Sequence, residues 1–141
     1  MAPTIKLVAA AAAVVLALAA CSNGEEASGT EKPIAVDEIV GSDILQLTLT
    51  ESAAERLDIQ TVPVESGSTG FIVPSAAVII DPAGIYWVYT NPEPLVYVRQ
   101  EISPVREADL HAFFEEGPAA GMAVVTIGVP ELYGAEFGIG K

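Results

Sequence analysis

Apolar and polar residues alternate with a period of two along several stretches of the chain after residue 44. Over 45–50, leucine alternates with glutamine and threonine, which predicts a half-buried strand. The tetrad Ser52-Ala53-Ala54-Glu55 has the form of a capping box and predicts a short helix over 52–57. Strand character returns over 59–65 and ends in the Gly- and Ser-rich turn 66–70.

Proline and glycine mark the turns in the second half of the chain. Apolar runs at 76–80 and 85–90 flank the turn residues 81–84, which predicts a hairpin. Residues 91–94, Asn-Pro-Glu-Pro, are expected to break the chain before a further strand over 95–102. In that strand, Tyr97, Arg99 and Glu101 share one face.

The remaining elements complete a mainly β prediction. The run 123–127 has little polar character, which is typical of a central strand, and Pro130 is expected to begin a short helix through Tyr133. Residues 103–116 are compatible with either a helical turn or a strand. Short strands, Pro/Gly turns and two short helices predict a small β barrel or sandwich over 44–137, followed by a tail over 138–141.

The first residues have the pattern of a targeting segment. Lys6 precedes an apolar run over 7–20 that is shorter than the roughly 20 residues needed to span a bilayer. It fits the apolar core of a secretory signal peptide. The tetrad Leu18-Ala19-Ala20-Cys21 resembles the lipobox of bacterial lipoproteins. This resemblance implies cleavage after residue 20, a diacylglycerol on the thiol of Cys21, and a lipid anchor outside the cytoplasmic membrane, at the cell surface or in the periplasm.

Two other interpretations of the start of the chain stay open: an ordinary signal peptide, and an uncleaved anchor with a cysteine there by chance. Residues 21–43 combine glycine, proline and acidic side chains without any aromatic residue, which predicts a flexible linker. Ile34, Val36, Ile39 and Val40 could dock loosely on the domain. All nine aromatic residues lie between Phe71 and Phe137, where we expect the core.

Charge and composition exclude several classes of function. The 141 residues contain 19 Asp and Glu against 6 Lys and Arg, a net charge of −13, which disfavours nucleic acid as a partner and anionic lipid as a docking surface. One cysteine and one histidine cannot form a Cys/His zinc site, and one cysteine cannot form an internal disulfide.

Few residues are candidates for catalysis. His111 is the single histidine and is predicted to be a surface or packing residue, and Ser75 lacks the flanking glycines of a nucleophile elbow. Glu115 and Glu116 would point to opposite faces of a strand. Met122 leads into an apolar run and is expected in the core. We therefore predict no catalytic residue, metal ligand or cofactor, and no enzymatic activity.

The aromatic residues Trp87, Tyr89 and Tyr97 allow two interpretations. They could form an exposed aromatic surface for a sugar or another small ligand, which would suit a lipoprotein that binds a small ligand or an envelope polymer. They could also be packed in the core, which is the commoner role of such residues.

Several segments follow one another in an order typical of a known family. Residues 71–81 contain Val-Pro followed by small residues and Ala-Val, residues 86–89 read Tyr-Trp-Val-Tyr, and residues 116–132 contain Gly, Val-Val, Gly and Leu at intervals. Together with 47–50 and 57–61, this order resembles the membrane-proximal β domain of RND-type efflux periplasmic adaptors, also called membrane fusion proteins.

The chain departs from the adaptor pattern at two places. The lipoyl-like domain and the long α-helical hairpin have no counterpart, because the flanking halves join directly at 67–70. Residues 103–116 look inserted. The resemblance implies a stand-alone membrane-proximal domain that contacts a membrane transporter or another envelope complex and cannot bridge two membranes.

Overall fold

The computed structural model describes residues 31–139. The predicted signal peptide, the lipidation site Cys21 and the last two residues of the predicted tail lie outside the described residues. Strands hold 47% of the described part and helices 16%, which confirms the mainly β class with two helices. The antiparallel sheets form a sandwich-like arrangement and are not closed into a barrel.

The described residues form eleven strands, two α-helices and one 3₁₀ turn. In chain order these elements are β1 (Ile34–Glu38), β2 (Leu45–Leu49), α1 (Glu51–Arg56), β3 (Gln60–Pro63), β4 (Glu65–Ser66), β5 (Phe71–Pro74), the 3₁₀ turn (Ser75–Ala77), β6 (Val78–Ile80), β7 (Tyr86–Glu93), β8 (Val96–Glu101), β9 (Arg106–Ala108), β10 (His111–Phe114), β11 (Ala123–Ile127) and α2 (Val129–Glu136). The large sheet has the order β1-β2-β8-β7-β11-β3, with β6 also paired to β7, and the small sheet has the order β4-β5-β10-β9.

The large sheet is buried on both faces at its centre. Consecutive residues of β7, Val88 and Tyr89, belong to two different cores, and so do Val124 and Val125 of β11. One core lies against the helices and the other against the small sheet. Because both faces of β11 are covered, its side chains are almost all apolar, as predicted for an internal strand.

A strand lies within the residues that were expected to form the linker. β1 pairs with β2 over its whole length, from Ile34 opposite Leu49 to Glu38 opposite Leu45. Ile34 is half-buried and packs against the first core. Residues 34–38 therefore form part of the folded sheet, which begins before residue 44. The pairing supplies backbone hydrogen bonds that the linker-like composition does not indicate.

The small sheet contains the turn 67–70 and the segment 103–116. The turn joins β4 to β5 and is closed by a hydrogen bond of 2.9 Å from the amide of Gly67 to the carbonyl of Gly70. Gly70 has φ +96°, and a Cβ there would lie 2.2 Å from the carbonyl oxygen of Phe114, so glycine is required. The segment 103–116 forms the β9–β10 hairpin, which resolves its secondary structure in favour of strands.

Two boundaries differ from the prediction around β7 and α2. β7 continues through the expected break at Asn91–Glu93 with a register shift against β8. The side-chain amide of Asn91 donates to the carbonyls of Glu93 and Val96, which stabilises this irregular stretch. α2 does not end at Tyr133 but continues to Glu136.

The predicted cap of α1 is wrong by two residues. Thr50 is the N-cap, and its hydroxyl accepts a hydrogen bond of 3.2 Å from the amide of Ala53. Ser52 lies exposed in the first turn of the helix. Thr50 takes the cap because its extended backbone leads directly out of β2.

We expect Thr50→Ala to lower the free energy of unfolding by about 1 kcal/mol, because the amide of Ala53 loses its side-chain acceptor. Ser52→Ala serves as the control and should leave stability nearly unchanged. Urea denaturation followed by circular dichroism measures both variants. A larger loss for Ser52→Ala than for Thr50→Ala would contradict the assigned cap.

Candidate functional site: the C-terminal helix and the groove beside it

The end of α2 carries a buried acidic side chain. Glu136 is only 6% exposed, and Leu132, one helical turn earlier on the same face, is fully buried. This face of α2 therefore packs on the sheet. Gly128 is the N-cap of α2. Its φ is +89° and a Cβ there would lie 2.1 Å from Ile59, so the absence of a side chain lets α2 start close to the chain that follows α1.

The carboxylate of Glu136 is held by two side chains from neighbouring strands. Arg99 Nε donates to Glu136 Oε1 at 3.2 Å, and the Tyr89 hydroxyl donates to Oε2. Tyr89 on β7 and Arg99 on β8 stand directly opposite each other in the sheet. Burial and the bond to Glu136 hold the pKa of Tyr89 well above its ordinary value. The phenol therefore remains a hydrogen-bond donor throughout the physiological pH range.

The guanidinium of Arg99 is also stacked between two aromatic rings. Its central carbon lies 4.1 Å from the ring centroid of Trp87 and 5.0 Å from that of Phe137. Such cation–π contacts stabilise a charge that is removed from water. The Trp87 indole donates to Asp81 Oδ2 at 3.0 Å, so the polar contacts extend from α2 to the β6–β7 turn.

Asp81 organises that turn through its second oxygen. Asp81 Oδ1 accepts the amides of Ala83 at 2.8 Å and Ile85 at 3.0 Å. The hydrogen bond from the amide of Ile85 has the largest effect and lowers the pKa of Asp81. Burial opposes it, and the hydrogen bonds from Trp87 and Ala83 and the charge of Arg99 lower the pKa further. Asp81 therefore stays ionised at neutral pH.

Five side chains form what we name the polar network: Tyr89, Glu136, Arg99, Trp87 and Asp81. Their hydrogen-bond partners lie within the protein. No buried side-chain nitrogen or oxygen lacks a hydrogen-bond partner among residues 31–139. A buried ion pair contributes little net stability by itself, but loss of one member leaves the other uncompensated. The polar network thus fixes α2 on the sheet, and none of its buried polar atoms lacks a hydrogen-bond partner.

An apolar groove with a volume of about 390 Å³ lies beside α2. We name it the β6 groove. One side is formed by β6, with Ala76 before it, and the other by the beginning of α2, with Val129, Pro130 and Tyr133. Ile80 at the end of β6 is 54% exposed. In the described part of the chain β6 pairs with β7 alone, so its other backbone edge has no strand partner there.

The structure does not join the candidate catalytic residues into one site. His111 lies exposed on β10 with Nδ1 2.8 Å from the carbonyl of Asp109. Ser75 begins the 3₁₀ turn that follows β5, the strand next to β10, and its amide donates to the Leu110 carbonyl. No side-chain hydrogen bond joins Ser75 to His111 within residues 31–139. Glu115 and Glu116 are exposed after β10, and Met122 is half-buried against the second core, as predicted.

Of the two interpretations of Trp87, Tyr89 and Tyr97, the structure does not support the exposed aromatic surface. Tyr89 and Tyr97 are 0% and 5% exposed and belong to the first core, and Trp87 is half-buried beneath Arg99. This face of the sheet is covered because α2 packs across it. The alternative interpretation, that these residues are packed in the core, is confirmed for both tyrosines.

The polar network was missed because α2 was predicted to end at Tyr133. Two signals in the sequence could have indicated it. Leu132 and Glu136 are four residues apart and share a helical face, and Arg99 shares a strand face with Tyr97. Neither signal identifies the side chains that bind the Glu136 carboxylate, because Glu136 lies 37 residues from Arg99 and 47 residues from Tyr89 in the sequence.

Comparisons with known proteins leave the family of the chain open, since no family model, curated protein or solved structure matches it. Over residues 31–139, no three His, Cys, Asp or Glu side chains are grouped closely enough to hold a metal ion. No helix in this part of the chain is sufficiently long and apolar to cross a bilayer. Function is therefore inferred from the residues and their arrangement.

We expect Arg99→Met and Glu136→Gln each to lower the free energy of unfolding by about 3–5 kcal/mol, because each leaves a buried charge without its partner. The double variant should lose clearly less than the sum of the two, which urea denaturation in a double-mutant cycle measures. Arg106→Met is the control: Arg106 also stacks on a ring, Phe113 at 4.4 Å, but is exposed, and its loss should cost at most about 1 kcal/mol. Additive single effects would contradict the coupling.

A second prediction concerns the pH dependence of stability. Because the folded-state pKa of Asp81 lies below its unfolded value, its ionised form stabilises the protein above the unfolded pKa, and this contribution is lost as the pH falls through the lowered pKa. Asp81→Asn should therefore be less stable than the natural chain at pH 7, and the difference should shrink on acidification below pH ~4. Urea denaturation at a series of pH values tests this, and a difference that stays constant would contradict it.

Proposed function

We propose that this chain is a lipid-anchored, non-enzymatic accessory protein, similar to an adaptor, that binds a membrane transport complex of the efflux type on the extracytoplasmic side. The order of the adaptor-like segments is the observation that carries the association with a transporter. The lipobox-like tetrad that ends at Cys21 supports the anchor. Two or more acyl chains hold a protein stably on a membrane, whereas its acidic surface does not favour anionic lipid.

The arrangement of the adaptor-like segments in the fold supports this proposal. Three of the adaptor-like segments can be assigned to elements of the fold. Segment 71–81 contains β5 and β6, segment 86–89 is the first half of β7, and segment 116–132 contains β11 and the beginning of α2. β11 pairs with β7 and also with β3, which begins within the segment 57–61. Segments that are far apart in sequence therefore meet as neighbouring strands of one sheet, as parts of a single domain would.

The described surface also suits a role in binding. The outer edge of β6 lacks a strand partner within residues 31–139. Ile80 at the end of this strand is a large apolar side chain that is 54% exposed. Such edges and side chains are the features that mediate protein–protein contacts.

We expect Cys21→Ala to abolish lipid attachment, because no other side chain of the chain offers the thiol that receives the acyl group. The variant should be released from the membrane fraction or should accumulate as an uncleaved precursor. Metabolic labelling with an alkyne fatty acid, combined with membrane fractionation, measures both results. Ser22→Ala is the control and should be labelled as the natural chain is; labelling of Cys21→Ala at the natural level would contradict the anchor.

Association with a transporter is tested separately in native membranes. The full-length protein is crosslinked in cells that produce it at its natural level, and the crosslinked partners are identified by mass spectrometry. We expect a transporter subunit or a component bound to one. Recovery of the protein without any transport component, under conditions where its anchor is intact, would overturn the proposed partner.

A further inference from the structure

Among residues 31–139, none of those that line the β6 groove belongs to the polar network that fixes α2. Its two walls come from different parts of the chain: Val78, Ile79 and Ile80 of β6 on one side, and Val129, Pro130 and Tyr133 of α2 on the other. Apart from the Tyr133 hydroxyl, the side chains that line it are apolar. A groove of this kind offers apolar contacts along an extended path beside a strand.

The backbone of β6 adds a directional element to this surface. Its residues 78–80 pair with 88–86 of β7, and within residues 31–139 no strand pairs with the opposite edge. An unpaired edge presents amide and carbonyl groups that can hydrogen-bond an added strand. β6 contains neither proline nor a charged side chain, which are the common means of blocking such an addition. Because β6 is short, an added strand would depend on side-chain contacts in the groove as well as on backbone hydrogen bonds.

The charges around the groove indicate the chemistry of its occupant. Asp81 directly follows Ile80 in sequence, and Glu131 directly follows Pro130, so each wall of the groove has an acidic residue next to one of its lining residues. Asp81 remains ionised at neutral pH, and Glu131 is exposed. Within residues 31–139, no Lys or Arg lines the groove. A second copy of this chain, with a net charge of −13, would be repelled, whereas a segment with Lys or Arg at its ends would be attracted.

We propose that the β6 groove binds an extended segment of a partner protein, which adds a short strand to β6, inserts apolar side chains between β6 and α2, and places Lys or Arg beside Asp81 and Glu131. The inference deepens the proposed function and rests on it for the expectation that the segment belongs to a protein of the membrane complex. The groove itself is defined by the fold alone.

Peptide binding to the purified full-length protein in detergent tests the surface directly. The probe is a short fluorescent peptide of alternating valine and threonine with lysines at both ends, and its counterpart has glutamates at the ends. We expect the lysine-flanked peptide to bind with an affinity that falls as salt is added, and the glutamate-flanked peptide not to bind. Equal binding of both peptides, or self-association of the protein in place of peptide binding, would overturn the proposal.

Two matched pairs of variants locate the site. Ile80→Arg should weaken binding of the lysine-flanked peptide at least about tenfold, equivalent to about 1.4 kcal/mol, because it removes an apolar contact and adds repulsion. Val36→Arg is its control, since Val36 is 41% exposed on an edge strand outside the groove, and should bind normally.

The second pair tests the charges. Glu131→Lys should also weaken binding of the lysine-flanked peptide, whereas Glu107→Lys on β9 should not. Both Ile80 and Glu131 are exposed, and a thermal unfolding curve for each variant checks that it is folded. Unchanged binding by Ile80→Arg would overturn the site.

Photo-crosslinking from position 80 in native membranes connects the groove to the proposed function. We expect a crosslinked partner segment that contains apolar residues with Lys or Arg nearby, and none from position 36. If a transport component is recovered by general crosslinking but never from position 80, the groove proposal fails and the proposed function stands. If the peptide experiments succeed but neither general crosslinking nor crosslinking from position 80 recovers a transport component, the proposed function fails and the groove stands.

Discussion

The burial of one carboxylate beneath the C-terminal helix is the constraint on which the arrangement of the described chain depends most. Removal of Glu136 from water is costly, and it is tolerated because Arg99 and Tyr89 supply a counter-charge and a hydrogen bond at one place on the sheet. These two residues face each other on adjacent strands, so they define a narrow target. The helix can satisfy Glu136 and bury Leu132 only in one position.

That position also determines the geometry of the surface beside the helix. Val129, Pro130 and Tyr133 lie on the same short helix as Glu136 and form one wall of the β6 groove. The polar network reaches Asp81, which directly follows the other wall. The polar network therefore contacts both elements that form the groove, through Glu136 on α2 and through Asp81 after β6.

Local sequence patterns were sufficient for the elements that depend on local chemistry. Alternating residues identified β2, and the turn residues Asp81–Gly84 identified the β6–β7 hairpin, because both signals lie within a few residues. β1 could not be predicted in the same way: its acidic, linker-like sequence becomes a strand through pairing with β2. Thr50 and Ser52 are both good capping residues, and only the direction in which the chain leaves β2 distinguishes them. The polar network depends on contacts across 37 and 47 residues, which no local pattern contains.

The turn between β4 and β5 has a consequence for how such a domain can change in evolution. Its tip, Ser68 and Thr69, is exposed, while the flanking glycines are joined by a backbone hydrogen bond of 2.9 Å. The two strands that enter and leave the tip, β4 and β5, are therefore paired side by side. An inserted domain whose termini are close together requires this arrangement. Because the entropy of closing a loop grows slowly with its length, a large insertion there would cost the sandwich little. The same scaffold can thus acquire or lose a long arm as a module.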